Sequence, residues 1–301
     1  MQNQIYDVHD PRFLGLIHKT AQIDTLWTGG RWTEGPAYFA AGRYLLWSDI
    51  PNDRVLRWDE CDGNVSTFEY PCRNQNGHTV DLQGRLVSCE HRGRSVSRRE
   101  HDGTMTVLAD TFEGARLNSP NDVVVKSDGS IWFTDPTYGI DSDYEGDASA
   151  SEIGAQNVYR IDQSGAMSVV ATDNLQPNGL AFSPDEQVLY VSDTGQTHAP
   201  QNDAVIRAYP VLGETLGQSK VLTTCDVGLF DGFRVDTKGN IWSSAGDGVH
   251  CYASDGTILG KIKIDECVSN LVFGGPKKNR LFICATTSVR SIYVNAKGAA
   301  R

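Results

Sequence analysis

The sequence LQPNGLAFSPDEQVLYVSD, residues 175–193, contains two short apolar runs separated by a turn. An Asn-Gly pair precedes the first run, Leu180–Phe182, and Ser-Pro-Asp-Glu separates it from the second run, Val188–Val191. Two β-rich runs joined by a turn rich in Pro and Asp predict a β-hairpin.

Five further copies of this hairpin pattern occur along the chain. They are EGPAYFAAGRYLLWSD from Glu34, NGHTVDLQGRLVSCE from Asn76, NDVVVKSDGSIWFTD from Asn121, DGFRVDTKGNIWSSA from Asp231 and NLVFGGPKKNRLFICA from Asn270. The leading apolar residues of the second runs are 41, 45, 58, 52 and 40 residues apart; they are Leu45, Leu86, Ile131, Leu189, Ile241 and Leu281. A period of this size indicates repeated structural units.

Each complete copy continues into two more strand-like runs, as Arg54–Trp58 and Val65–Tyr70 do after the first hairpin. Four strands per copy are typical of a propeller blade. The sixth copy lacks a fourth run, but Ala21–Trp27 resembles the fourth runs and can pair with it, which removes an exposed sheet edge. We therefore predict an all-β fold, a six-bladed β-propeller with four antiparallel strands per blade and an N-terminal strand closing the last blade. Residues 1–301 are expected to form one domain with an N-terminal extension of about residues 1–19.

Two residue patterns predict how the blades pack and where they meet solvent. Trp47, Trp132 and Trp242 recur in the second strands and predict packing between blades. Four arginines within residues 92–99 alternate along a strand and predict a solvated outer face.

Composition bounds the partners and the cell compartment. The net charge is −11 and the pI is near 5.0, which disfavours nucleic acid and anionic membranes because both require a basic footprint. Seven cysteines with no CxxC pair favour a reduced protein. The first residues show neither a signal peptide nor an apolar span. We expect a soluble, cytoplasmic monomer or homodimer that binds a small solute.

In a propeller, the loops that lead into the inner strands open at one end of the central channel. Six oxygen-bearing side chains, which we call the mouth residues, should therefore point to one place: Glu34, Asn76, Asn121, Asn178, Asp231 and Asn270. Asn and Asp before Gly are also ordinary turn formers. Glu is a poor turn former, and two unpaired carboxylates in a narrow channel are costly. A divalent cation would neutralise both.

The donor types indicate which cation would suit the channel mouth. Carboxylate and amide oxygens, without a thiol, favour a hard ion. We expect one divalent metal ion, Ca(II) first, with Mg(II), Mn(II) or Zn(II) as open alternatives.

At these residues the chain resembles the regucalcin (senescence marker protein) and gluconolactonase family, whose members are six-bladed propellers, and it looks closest to the bacterial gluconolactonases. It is more distantly similar to the squid-type diisopropylfluorophosphatase. The resemblance spans about residues 20–295 and is carried by TEGPAYF, CEHRGRSVSR, LNSPNDVVVKSDGSIWFTDPTYGI, PNGLAFSPDEQVLYVSDT and DGFRVDTKGNIW. It implies a divalent metal held by Glu34, Asn178 and Asp231, with Asn121 as a ligand or a substrate contact.

One position departs from the animal regucalcins. Those proteins carry an Arg that contacts substrate two residues before the equivalent of Asn121, and this chain has Ser119 there. Arg116 lies three residues earlier and is not assumed to replace it. The resemblance therefore implies the metal ligands but not this arginine contact with the substrate.

The loops between second and third strands should complete the pocket. The longest, residues 136–156, carries Tyr138, and a loop of this length is typical of a lid or of plain solvated chain. Glu90 and His91 begin the equivalent loop of the second copy, and His78 lies two residues after Asn76. We regard Ser119, Tyr138, Glu90, His91 and His78 as candidate substrate contacts. A hydrogen-bonded structural histidine is the alternative for each His.

The implied chemistry is metal-dependent opening of a sugar lactone to an aldonic acid, in carbohydrate metabolism. A metal ion polarises the lactone carbonyl and activates a water molecule, and we predict Asp231 as the general base. A mechanism that uses water alone stays open. The alternatives are a phosphotriesterase of the diisopropylfluorophosphatase type, with the same Asp as nucleophile, and a non-catalytic propeller that binds a ligand.

Overall fold

The computed structural model describes residues 5–299 and contains six antiparallel sheets arranged as the blades of a six-bladed β-propeller. The inner strands are Thr33–Phe39, Gln75–Val80, Val123–Val125, Pro177–Phe182, Phe233–Val235 and Val268–Gly274. The second strands are Tyr44–Asp49, Leu86–Glu90, Ile131–Asp135, Val188–Asp193, Ile241–Ala245 and Arg280–Ala285. The third strands are Arg54–Asp59, Ser95–Arg99, Asn157–Ile161, Val205–Leu212, Gly248–Tyr252 and Ser288–Tyr293. The outer strands of blades 1 to 5 are Val65–Glu69, Met105–Ala109, Met167–Ala171, Lys220–Thr224 and Ile258–Lys263.

The outer strand of blade 6 comes from the N-terminal part of the chain. Asp24–Thr28 pairs antiparallel with Ser288–Tyr293, so the prediction that an N-terminal strand closes the ring is confirmed. A second N-terminal strand, Tyr6–Val8, adds a fifth strand to blade 5 by pairing with Ile258–Lys263. This strand lies in the segment that the sequence predicted only as an extension.

Few other regular elements interrupt the blades. One short α-helix, Tyr138–Asp141, lies in the long loop of blade 3, and 3-10 turns cover Pro11–Gly15, Ile50–Asn52 and Gly195–Thr197. Short strand pairs are formed by Thr111–Phe112 with Ala115–Arg116 and by Thr215–Leu216 with the third strand of blade 4. Within residues 5–299, no helix is long and apolar enough to cross a membrane.

The apolar core lies between neighbouring blades. Trp47 packs with residues of blade 6, Trp132 with residues of blade 4 and Trp242 with residues of blade 6. All three indole rings are fully buried, which confirms their prediction as inter-blade contacts. Because each blade buries its faces against two neighbours, the inner strands are held firmly around the channel.

Candidate active site

The mouth residues lie within two residues of the start of the inner strands. Four of them stand beside a register shift in the pairing of the first two strands, at Glu34, Asn76, Asn178 and Asn270. A bulge turns side chains away from the regular alternation of a strand and often lies beside a functional site. Asn121 and Asp231 come two residues before the short inner strands that begin at Val123 and Phe233.

Close contacts join several inner strands to the next blade at the channel mouth. A Cβ atom at Gly35 would overlap the carbonyl oxygen of Asn76, and one at Gly179 would overlap that of Asp231. The glycines that follow mouth residues therefore permit neighbouring inner strands to approach each other, which is a different reason from the turn formation considered above. Three hydroxyls of second strands strengthen the same contacts by donating to mouth carbonyls in the next blade: Ser48 to Asn76 at 2.9 Å, Thr134 to Asn178 at 2.7 Å and Ser192 to Asp231 at 2.8 Å.

Glu34 is a buried carboxyl group with little compensation. Its side chain accepts hydrogen bonds from Asn270 Nδ2 at 2.9 Å and from the backbone of Gly35. Burial, followed by the negative charge of Asp122, nevertheless raises the pKa of Glu34 to about 8. An oxygen site that favours protonation at neutral pH in the absence of a cation is a site where a cation would be stabilising.

Asp231 is a second carboxyl group at the mouth whose charged form is unfavourable. Burial raises its pKa well above the ordinary carboxyl value, and the charges of Glu34, Glu145 and Asp122 add to the effect, whereas a hydrogen bond from Asn178 opposes it. The residue keeps partial exposure at the mouth, so solvent and a solute can reach it.

Sequence reasoning missed Asp122 and Arg234. Asp122 is buried, its pKa is raised by burial, and Nη1 of Arg234 lies 3.4 Å from its Oδ2. The sequence did contain a signal for this pair, because Arg234 lies in the short and otherwise apolar inner strand Phe233–Val235. An arginine in an inner strand predicts a carboxylate partner.

Residues 32–287 match the family described as SMP-30/Gluconolactonase/LRE-like region. The chain belongs to this family. The gluconolactonase of Zymomonas mobilis is 30% identical over 304 residues, covering 93% of this chain and 83% of that protein. The pentonolactonase XacC of Haloferax volcanii is 28% identical over 272 residues, covering 85% and 82%. The structure of XC5397, a gluconolactonase of Xanthomonas campestris, has a TM-score of 0.90 at 38% identity, covering 96% of this chain and 94% of that one.

In this member of the SMP-30/gluconolactonase family, two predicted substrate contacts have internal partners. Both ring nitrogens of His78 lie 2.8 Å from serine hydroxyls, those of Ser48 and Ser88, and burial lowers its pKa to about 3. The carboxylate of Glu90 accepts from Ser95 at 3.0 Å and from Ser97 at 2.5 Å. These contacts hold both side chains within blades 1 and 2, and their roles as substrate contacts stay predictions.

Ser119 and Tyr138 anchor the long loop of blade 3. The Ser119 hydroxyl donates to the carbonyl of Pro136 at 2.7 Å and accepts from the backbone N–H of Gly139 at 2.9 Å. The Tyr138 hydroxyl lies 2.6 Å from Thr194 Oγ1 in blade 4. These bonds fix the beginning of a lid, which we define as residues 137–149.

The remainder of the lid contacts blade 2 and the segment that precedes the inner strand of blade 1. Arg92 Nε donates to Asp147 at 3.1 Å, and the guanidinium of Arg31 stacks 5.3 Å from the ring centroid of Tyr144. Between these two contacts lies Glu145, whose side chain is 22% exposed and whose Oε2 is 3.8 Å from His91 Nδ1. The sequence did not single out Glu145, because only the folded lid brings it to the mouth.

One other cluster in the described chain has the composition of a metal site. Ligand atoms of Cys225, Asp226 and His250 lie within 4.8 Å of one another. Nζ of Lys261 is 2.7 Å from Asp226, however, and His250 Nε2 is 2.5 Å from Asp247. The lysine already neutralises this cluster, and its His250 is on the third strand of blade 5 rather than at the channel. All seven cysteines are free thiols.

Proposed function

We propose that this protein hydrolyses sugar lactones to aldonic acids with one divalent cation at the channel mouth. The observation that carries the proposal is the pair of carboxyl groups of Glu34 and Asp231 among amides, with the pKa of each raised by burial and neighbouring negative charge. Membership of a family that includes a gluconolactonase and a pentonolactonase supports the substrate class.

The donor set fits the proposed cation. Glu34, Asp231, Asn121 and Asn178 offer two carboxylates and two amide oxygens, which suit Ca(II) first, with Mg(II), Mn(II) and Zn(II) as alternatives. When bound, the ion would polarise the lactone carbonyl and lower the pKa of a bound water. The two negative charges of the site match the charge of the ion, so binding would relieve the cost of burying them.

Asp231 is the proposed general base. Its carboxylate accepts a proton from the water that attacks the carbonyl carbon, and it returns the proton to the ring oxygen as the ester C–O bond breaks. The product is a carboxylic acid that releases its proton to solvent. The partial exposure of Asp231 admits water, and the hydrogen bond from Asn178 orients the carboxylate.

The test is an assay of acid release on a substrate panel combined with metal analysis. Untreated protein should contain about one equivalent of a divalent metal, chelation should abolish hydrolysis of D-glucono-1,5-lactone, and added cation should restore it. The panel includes a fluorophosphate triester. Faster cleavage of that compound than of every lactone would replace the substrate class, and full lactonase activity after chelation would refute the role of the cation. No turnover on the whole panel would favour a ligand-binding propeller.

A further inference from the structure

His91 is a buried histidine with one nitrogen left without a partner. The Asn76 amide Nδ2 lies 3.0 Å from His91 Nε2. An amide nitrogen only donates, so Nε2 is the acceptor and a neutral ring carries its hydrogen on Nδ1. Burial lowers the pKa of His91 to about 4, in agreement with a neutral ring. Nδ1 is buried and forms no hydrogen bond of good geometry within the described chain, although the backbone of Glu145 is near enough to oppose the effect of burial on the pKa of His91.

Glu145 faces this free N–H at a separation that suits one inserted oxygen atom. Its Oε2 is 3.8 Å from His91 Nδ1, which exceeds the length of a direct hydrogen bond. An oxygen that lies to one side of the line between these two atoms can be about 2.8 Å from each. A hydroxyl group in that position accepts from the imidazole N–H and donates to the carboxylate, so both of its hydrogen-bonding functions are used.

Asn76 contributes a second free atom to the same cluster. Its Oδ1 is buried and unpaired among the residues that the structure describes, and its Nδ2 is the atom that faces His91. Buried polar atoms without partners are costly unless a ligand or water satisfies them. The cluster therefore combines one donor, N–H of His91, with two acceptors, Asn76 Oδ1 and the Glu145 carboxylate.

The fold holds the cluster together through two lid glycines. A Cβ atom at Gly139 would overlap the His91 side chain, and a Cβ atom at Gly146 would overlap the carbonyl of Gly139. The lid backbone thus lies directly on His91, with Glu145 adjacent. The charge of Glu145 also contributes to the raised pKa of Asp231, which places the cluster near the proposed reacting centre.

We propose that His91, Glu145 and Asn76 form a subsite that binds ring hydroxyl groups and gives the enzyme its preference for polyhydroxylated lactones over unsubstituted ones. This inference rests on the proposed function. His91 and Glu145 share one hydroxyl, and Asn76 both fixes the His91 tautomer and accepts from a second hydroxyl. These residues determine specificity, while Asp231 remains the proposed base.

The experiment compares two lactones with the same ring, D-glucono-1,5-lactone and δ-valerolactone, which lacks all the hydroxyls. In Glu145→Gln and His91→Gln, the ratio of the two kcat/KM values should fall about 10- to 100-fold, as expected for loss of a hydrogen bond that involves a charged group. His91→Asn, which keeps an N–H near the Nδ1 position, should retain more of the preference than His91→Gln. Asp143→Asn is the matched control, because the Asp143 carboxylate accepts from the backbone of Ala148 within the lid, and its ratio should be unchanged.

Binding of 1,5-anhydro-D-glucitol, the same polyol ring without the carbonyl, separates this inference from the proposed function. Calorimetry should detect binding to the parent protein and at least 10-fold weaker binding to Glu145→Gln. If the parent binds this polyol but opens neither lactone, the subsite stands and the proposed function fails. If Glu145→Gln slows both lactones equally, or loses its metal, the subsite is wrong. An ordered water alone at this position would leave the ratio of the two lactones unchanged, which also overturns the inference.

Discussion

The side-chain amide of Asn270 donates a hydrogen bond of 2.9 Å to Oε2 of Glu34, and this bond joins the last blade to the first at the channel mouth. It favours the charged form of Glu34, whereas burial and the charge of Asp122 favour the protonated form and prevail. Without a cation, the contact that closes the ring therefore includes a carboxyl group for which the charged form is unfavourable.

The first prediction concerns pH and metal. The pKa of Glu34 is raised from 4.5 to about 8, so the cation-free folded protein retains a proton that the unfolded chain releases between these values. The contribution of Glu34 to stability therefore decreases as pH rises through this range. Cation binding needs the carboxylate form and releases protons, so the stabilisation by a fixed concentration of Ca(II) should be greater at pH 8 than at pH 6.

Thermal unfolding with and without Ca(II) at both pH values measures this linkage. A cation at 100 times its Kd stabilises by about 2.7 kcal/mol, which raises Tm by several degrees. Glu34→Gln should make the cation-free protein more stable at pH 8 and should reduce the response to Ca(II). An increment in Tm that is equal at both pH values would contradict the placement of the ion beside Glu34.

The second prediction concerns Asp231→Asn. The change keeps the size and one oxygen ligand but removes a charge and the proton acceptor, so metal affinity should fall while the fold survives on its inter-blade packing. Lactone hydrolysis should stay about 100- to 10,000-fold below the parent even at saturating metal, the range typical of general-base catalysis.

Glu214→Gln is a control for the loss of one negative charge, since Glu214 lies in the turn between Val205–Leu212 and Thr215–Leu216 and its side chain is 77% exposed beside Arg160. It should retain parent metal affinity and activity. Restoration of the parent rate in Asp231→Asn by excess metal would show that Asp231 is a ligand only and that another group takes the proton.

The third prediction concerns ring closure. Deleting residues 1–28 removes the outer strand of blade 6, Asp24–Thr28, and exposes the edge of Ser288–Tyr293. Aggregation or a large loss of stability should follow. Deleting only residues 1–9 removes the fifth strand of blade 5. This shorter variant keeps Phe13, which is fully buried beside Trp242. It should therefore stay monomeric with a smaller decrease in Tm. Size-exclusion chromatography and thermal unfolding distinguish the two, and equal Tm values for the parent and the longer deletion would refute closure.

The strands were predictable because their pattern is local. Ala21–Trp27 was recognised by likeness to other fourth strands, and the structure pairs Asp24–Thr28 as predicted. Tyr6–Val8 gave no such signal, because a strand of three residues has too few positions to show alternation. Its place on blade 5 depends on a sheet edge that exists only after folding.

Side-chain partners were harder to predict, because they come from distant parts of the chain. The prediction of a solvated face for residues 92–99 is wrong for Arg94, which is buried and donates to the Leu117 carbonyl at 2.7 Å. Glu90 was predicted as a substrate contact, and the sequence did not indicate that two serines of the next strand donate to its carboxylate. Glu145 was missed because its position depends on the path of the lid.

The last prediction concerns the lid itself. The backbone N–H of Ser149 donates to the carbonyl of Ile140 at 2.9 Å, so the ends of segment 142–148 are adjacent and a short glycine linker can replace it. The replacement removes Glu145 and the Asp147 contact with Arg92 but leaves the His198 bond to Asp141 at 2.9 Å. Because none of the proposed metal ligands lies in the segment, bound metal should be unchanged.

The KM for D-glucono-1,5-lactone should rise about 10-fold or more. The KM for δ-valerolactone should change much less, since this substrate offers no hydroxyl to the lid. Steady-state kinetics and metal analysis of the same preparation check both parts. Loss of metal from this variant would show that lid acids are ligands and that Glu34, Asn121, Asn178 and Asp231 are an incomplete set.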